Sequence, residues 1–193
     1  RATDIEDAFA DPEIRGVVAT IGGNDQIRIL KHLDGDVLRE NPTRFYGMSD
    51  NTNLALFLWN HGIVSFQGGD VLTDFATPGT LPDYQESALR TVLFEETVGE
   101  IEPAAEFTDQ DLPWEDPDNL KRTPEMESNP GWRWRGGDET VVGRTWGGSL
   151  EITTLHLTAS RYLPEMADLE GSVLLLETSE ELPSPGMVKR SLM

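Results

Sequence analysis

Ser49 is the residue whose type and setting most directly suggest chemistry. It stands in Gly47-Met48-Ser49-Asp50, after the short strand-like run Arg44-Phe45-Tyr46 and before a helical pattern from Asn51 to Asn60. A nucleophile elbow needs this order. The small residue permits a sharp turn, the hydroxyl stands clear at the carboxyl edge of a sheet, and the helix N-terminus with the next backbone N–H can hold an oxyanion. The usual G-x-S-x-G spacing is not met, since Asn51 occupies the place of the second glycine. Ser followed by Asp also suits a plain helix N-cap, so local grammar supports both readings.

Other residues could complete a site. Gly22-Gly23 closes an apolar strand ahead of a helix. It reads either as a tight turn or as backbone N–H groups facing the same carboxyl edge as Ser49, where α/β sheets bind ligands. Glu177 ends the apolar run Val173-Leu174-Leu175-Leu176. A carboxylate there is costly unless paired, and orienting a catalytic His is one use for it; the plain alternative is the start of an exposed acidic turn with Glu180 and Glu181. Trp132 and Trp134 alternate with Arg133 and Arg135, which on a strand puts both indoles on one face, as a core edge or as a shelf that stacks a ring. None of His32, His61 and His156 has ligand spacing, so no metal is expected, and none is an evident general base. A dinucleotide fingerprint is absent, and no cofactor is expected.

The elements that must position these residues read as α/β. Thr3 and Glu6 fit a capping box, followed by a buried strand from Val17 to Ile21. Asn24 or Asp25 can cap a helix with Ile27, Ile29, Leu30 and Leu33 inward. A strand at 44–46, a helix at 51–60 stopped by His61-Gly62, and a third strand at 63–66 follow. Strand, helix, strand, helix, strand is the signature of a parallel sheet. A loop spans 70–83 and a helix 84–96. Residues 101–131, rich in Pro, Asp, Glu and Asn, read as an interdomain connection between an N-terminal domain (1–100) and a C-terminal domain (132–193). In the latter, strands are expected at 132–134 and 140–146, a helix from Ser149 to Ser160, a buried strand at 171–177 and a helix near Met187.

Composition excludes several function classes. The 193 residues carry 35 Asp plus Glu against 15 Lys plus Arg, a net charge of -20. Such a surface repels phosphate backbones and anionic lipid, so neither nucleic acid nor membrane is an expected partner. There is no apolar run of transmembrane length and no signal-peptide pattern, and the zero cysteines exclude disulfides and thiolate chemistry. These features point to the cytoplasm. Only three of the cations are lysines (Lys31, Lys121, Lys189). Acidic excess with scarce Lys suits a halophilic source, where molar salt screens repulsion to about 3 Å.

Taken together, the segments ATIGGND, NPTRFYGMSDNTNLAL, NHGIVSFQGG, NPGWRWRGG, GGSLE and GSVLLLETSEELPS, in that order, resemble the LD-carboxypeptidase / microcin C self-immunity family of serine peptidases. The resemblance covers nearly the whole chain, and its WRW and LETSEE segments are closer to the immunity branch. It implies a flavodoxin-like N-terminal domain, a mixed β/α C-terminal domain, and a metal-free Ser-Glu-His triad cleaving amides in a small peptide or aminoacyl-nucleotide. It makes Ser49 the nucleophile, Glu177 the triad acid, and the backbone N–H groups of Asp50 and Gly23 the oxyanion donors, with Gly22, Trp132 and Trp134 beside the substrate. A homodimer is compatible with it. One departure matters: the family's triad His follows the acid by some tens of residues in a Gly-His motif, and no His follows Glu177 here. The chain is therefore expected to be an internal fragment, inactive alone, of a longer hydrolase. The competing expectation is a non-catalytic, flavodoxin-like anion-binding module.

Overall fold

A computed structural model describes every residue except 77–79, 111, 114 and 138. The parts of the expected 70–83 loop and 101–131 connection that fall on 77–79, 111 and 114 lie outside the described residues. In chain order the elements are α1 (Ala2–Ala10), β1 (Gly16–Val18), α2 (Ile27–Leu30), α3 (Gly35–Glu40), β2 (Arg44–Gly47), α4 (Thr52–Asn60), β3 (Ser65–Gln67), α5 (Asp83–Phe94), β4 (Glu106–Phe107), β5 (Glu127–Ser128), β6 (Thr145–Ser149), α6 (Leu150–Ala159), β7 (Val173–Glu177) and α7 (Pro185–Ser191). They form a mixed α/β fold with parallel sheets, grouped into two compact units: Arg1–Val71 with Thr140–Met193, and Leu72–Glu139.

The first unit holds two parallel sheets. In one, β2 lies between β1 and β3, with Val17 opposite Phe45 and Tyr46 opposite Phe66. In the other, β6 pairs with β7, setting Ser149 opposite Glu177. Helix α4 packs against both β3 and β6. Being covered on both sides, it is buried continuously from Thr52 to Leu58 rather than along one stripe. Leu54, Phe57 and Leu58 meet Phe9, Leu30, Leu38, Phe45 and Ile63 in the core. Each such side chain contributes about 1.5–3 kcal/mol on leaving water.

The second unit holds α5 and the antiparallel pair β4–β5, in which Glu106 faces Ser128. The Tyr84 hydroxyl donates to the Glu102 carbonyl at 2.7 Å, tying α5 to the segment before β4.

Several expectations are corrected. Strand β1 stops at Val18, and Ile21 is exposed. Thr3 does not cap α1, which begins at Ala2 without a side-chain cap; Glu6 instead accepts from the Asp34 N–H. Neither Asn24 nor Asp25 caps α2, which has no side-chain cap; the N–H groups just ahead of it bond to a carboxylate from another segment (below). Residues 132–134 form no strand, so Trp132 and Trp134 meet by direct edge-to-face stacking (centroids 5.9 Å apart) with no pleat to align them. The strand ending at Glu177 is exposed rather than buried, since among the described residues β7 has a strand partner on the β6 side only. By contrast, α6 opens at Ser149, whose Oγ accepts from the Ile152 N–H, and α4 ends before His61 with Gly62 at φ +76°.

Candidate active site

The Ser49 turn is shaped by its neighbours' lack of bulk. A Cβ on Gly47 would lie 2.8 Å from the Cβ of Asn51 and 3.1 Å from that of Ala19, so only glycine lets β2 finish against the next turn. Ser49 then takes φ +56°, a left-handed conformation that is sparsely populated for a non-glycine residue and costs on the order of 1–3 kcal/mol. A single turn of 3₁₀ helix (Ser49–Asn51) leads into α4. Neither helix start carries a side-chain cap, so the hydroxyl of Ser49 is not spent as an N-cap. From the other side, a Cβ on Gly22 would lie 2.9 Å from the Ser49 Cβ and 3.1 Å from its Oγ. Gly23 follows at φ +156°. The Gly22-Gly23 loop and the Ser49 turn are thus brought into direct apposition.

Polar side chains lock the two segments together. The carboxylate of Asp50, a buried residue, accepts from the backbone N–H groups of Asp25 (3.0 Å) and Gln26 (2.9 Å), closing the start of α2 from outside its own segment. Gln26 reciprocates: its Oε1 accepts from the Leu54 N–H at 2.9 Å, and its Nε2 donates to Asn51 Oδ1 at 2.7 Å. The Asn51 amide donates to the carbonyls of Ile21 and Met48. Beneath them, Asn53 Nδ2 donates to Asp50 Oδ1 (2.7 Å) and to its backbone carbonyl (2.8 Å). Asn53 Oδ1 in turn lies 2.7 Å from His156 Nε2 on α6.

Glu177 reaches the same place from β7. Partial enclosure of its carboxyl raises its pKa, the charge of Glu151 raises it further, and a hydrogen bond from the Ser49 backbone opposes both. Burial also pushes Glu151 upward, but hydrogen bonds from its own backbone, from the N–H and hydroxyl of Ser179, and from Ser149 outweigh this and hold it below the ordinary carboxylate value. Glu151 therefore pins the turn that follows Glu177. Thr52 sets the spacing between the sheets: its Oγ1 donates to Gln67 Oε1 at 3.1 Å and accepts from the Ser149 N–H at 3.0 Å, while Gln67 Nε2 donates to the Gly147 carbonyl. Gly148 passes so near that a Cβ would strike Gln67 and Thr52.

Of the expected site residues in this unit, Ser49, Asp50, Gly22, Gly23 and Glu177 converge. Trp132 and Trp134 belong to the other unit, where both are exposed. Among the described residues no histidine bonds to Ser49 or Glu177. His156 is spoken for by Asn53, is fully buried, and has its pKa lowered by that burial against a raising hydrogen bond at the Tyr162 backbone. No group of three or more metal-binding side chains is found among the described residues, and no described helix is long and apolar enough to cross a membrane. A separate cavity of about 550 Å³ opens between β3 and β6, lined by Trp59, Ser65, Gln67, Arg144 and Trp146.

Residues 1–68 match the LD-carboxypeptidase N-terminal domain family. The chain belongs to the LD-carboxypeptidase/MccF-like family. A Vibrio cholerae protein named as a carboxypeptidase is 30% identical to this family member over 181 residues, covering 93% of the chain and 52% of that protein. The microcin C7 self-immunity protein MccF of Escherichia coli is 26% identical over 184 residues, with 94% and 52% covered. MccF in complex with aspartyl sulfamoyl adenosine superposes with a TM-score of 0.81 at 25% identity, over 99% of the chain and 56% of that structure. An MccF-like protein from Streptococcus pneumoniae in complex with AMP gives a TM-score of 0.83 at 28% identity, over 100% and 60%. The chain spans about half the length of the curated relatives it matches.

The sequence reading missed the side chains of Asp50, Gln26, Asn53, Thr52 and Glu151. A signal was available for some of them. The polar run Asp50-Asn51-Thr52-Asn53 opens a helix that is otherwise apolar, and buried polar groups at such a place need partners.

Proposed function

We propose that this chain carries the nucleophile and the acid of a serine peptidase that cleaves an amide through a Ser-Glu-His triad. The observation that carries the reading is Ser49 in a left-handed turn at the end of a parallel strand, with Glu177 in reach of its backbone. In this reading the Ser49 Oγ attacks the carbonyl carbon while a histidine takes its proton. The backbone N–H groups of Asp50 and Gly23 receive the developing oxyanion, and the protonated histidine then delivers its proton to the leaving amine. Glu177 orients that histidine, and the imidazolium formed during turnover favours its ionised form, opposing the rise that burial gives its pKa. The histidine comes from sequence outside these 193 residues, since none of the three within it reaches the pair. The wider organisation in this reading is a flavodoxin-like N-terminal sheet and a mixed β/α C-terminal part of which this chain holds a portion, in a cytoplasmic protein.

For substrate we propose a small aminoacyl-nucleotide or peptide, with Gly22 beside it. Relatives of this chain bind AMP and an aminoacyl sulfamoyl nucleoside, which supports the first class. The test is turnover of aspartyl sulfamoyl adenosine against a murein tetrapeptide, with labelling of Ser49 by a fluorophosphonate probe. Labelling lost in Ser49→Ala, with turnover of either substrate, supports the enzyme. The lack of a histidine at the pair favours one other reading, a non-catalytic anion-binding module; anion binding without labelling or turnover, in protein that includes a downstream Gly-His motif, would establish it.

A further inference from the structure

We propose that Asp50 and Gln26 are positioning residues: each side chain bonds to backbone of the other's segment, and this reciprocal clamp holds the Gly22-Gly23 loop in register with the Ser49 turn. This deepens the serine-peptidase reading and rests on it.

The clamp is reciprocal in a strict sense. Asp50 belongs to the nucleophile turn, and its carboxylate takes the Asp25 and Gln26 N–H groups just ahead of α2; Gln26, the residue before α2, takes the Leu54 N–H in the first turn of α4 with its side-chain oxygen. Each segment thereby satisfies donors that the other's helix start leaves open. The two donors proposed for the oxyanion lie one on each side: the Asp50 N–H on the turn, the Gly23 N–H on the loop. Nothing in the loop's own backbone fixes their separation. Strand β1 ends at Val18; beyond it the Ala19 N–H donates to the Tyr46 carbonyl and the Asn51 amide to the Ile21 carbonyl, but no described backbone bond joins Gly22 or Gly23 to the Ser49 turn. The Asp50–Gln26 bonds are therefore what sets the distance between the two halves of the hole.

The clamp is also braced from below. The Asp50 backbone carbonyl can only accept, so Asn53 turns its amide nitrogen to Asp50 and its oxygen to His156, whose Nε2 then carries the proton. Asn53 and His156 are both fully buried, so Asp50 cannot swing away without breaking a bond in the core. No described cation neutralises Asp50; backbone and amide N–H groups alone surround it. Such a charge is strongly directional in what it tolerates, which suits a part whose task is geometry.

The experiment measures Asp50→Asn and Gln26→Ala in the protein that turns over substrate, with amide hydrogen exchange at residues 25 and 26 alongside. Loss of one oxyanion donor lowers kcat by about 10²–10³, and a misplaced one should lower it at least about tenfold. The expected result is that drop in kcat with KM within about twofold, together with exchange at Asp25 and Gln26 at least about tenfold faster. A merely structural role would lower the melting temperature and leave kcat per folded molecule unchanged. Protected amides in both variants, or fast exchange with kcat within about twofold of the unmodified protein, would overturn the proposal. If Asp50→Asn does not fold, Gln26→Ala decides alone, because Gln26 is only partly buried. If the unmodified protein neither turns over substrate nor labels at Ser49, the peptidase reading has failed; the exchange measurement still reports on the clamp.

Discussion

Replacing Thr52 by valine removes one hydroxyl and leaves volume and β-branching almost unchanged. Thr52 is fully buried, and that hydroxyl bonds at once to Gln67 on β3 and to the Ser149 N–H on β6. Without it, the Ser149 N–H is orphaned in a buried residue, at about 1–3 kcal/mol. Gln67 Oε1 loses a partner too, but Gln67 is half-buried and keeps its bond to the Gly147 carbonyl. A total of about 2–4 kcal/mol follows, a large share of the roughly 5–15 kcal/mol that stabilises an ordinary domain. Urea unfolding should show a lower midpoint with little change in slope. Thr52→Ser keeps the oxygen and loses a methyl, and should cost only about 1 kcal/mol. Because Ser149 stands opposite Glu177, the same change loosens Glu177 relative to Ser49, so turnover should fall further in the valine variant than in the serine one. A valine variant within about 0.5 kcal/mol of the unmodified chain, or a serine variant as costly as the valine, would refute the reasoning.

Gly22→Ala should push on Ser49 directly, since its Cβ would lie 2.9 Å from the serine Cβ. We expect a stability loss of about 1–3 kcal/mol and at least about tenfold slower labelling of Ser49; unchanged labelling would count against the apposition. Glu177 has its folded-state pKa raised above 4.5, so the stability tied to its protonation is present below the unfolded value and lost as pH rises through the folded one. Glu177→Gln should therefore be more stable than the unmodified chain at pH 7 and gain less at pH 4 in urea titrations, and destabilisation at both would contradict this. For His156 the sign is opposite. Its pKa is lowered below 6.5, so its contribution is present above 6.5 and disappears as pH falls through the lowered value. Thermal melts of His156→Gln should show a flatter acid limb than the unmodified chain, and an identical limb would show that another group controls it.

Periodicity and turn residues carried much of this architecture. The order of β1, β2 and β3 with α4 between the last two, the stop at His61-Gly62 and the helix opening at Ser149 are all local signals, and local signals survive folding. What did not carry was anything set by a distant partner. The cap of α2 was sought in Asn24 and Asp25, the nearest suitable residues, yet the carboxylate that takes the N–H groups leading into α2 is that of Asp50, beyond α2, α3 and β2. The run at 173–177 reads as buried because apolar runs usually are, but burial needs neighbours on both sides, and β7 has one. At the site, Ser49 and Gly22-Gly23 were legible because turns restrict residue type. Glu151, Thr52 and Asn53 were not, because a polar residue announces nothing until its partner is known.

The way Asp50 and Glu151 are held has a consequence for ionic strength. Ion pairs such as Arg39–Asp36 and Lys121–Asp118 sit on the surface, where dissolved ions compete for each charge. Among the described residues Asp50 and Glu151 meet no side-chain cation: Asp50 is met by N–H groups and Glu151 by serines and backbone. Dissolved ions compete poorly with neutral donors, and least of all inside the protein. A medium that dissolves the surface pairs therefore leaves the geometry around Ser49 untouched, while it quiets the self-repulsion of a chain with a net charge of -20. The scaffold and the site answer to different variables, and the surface of this protein can be rewritten for a new solvent without retuning its chemistry.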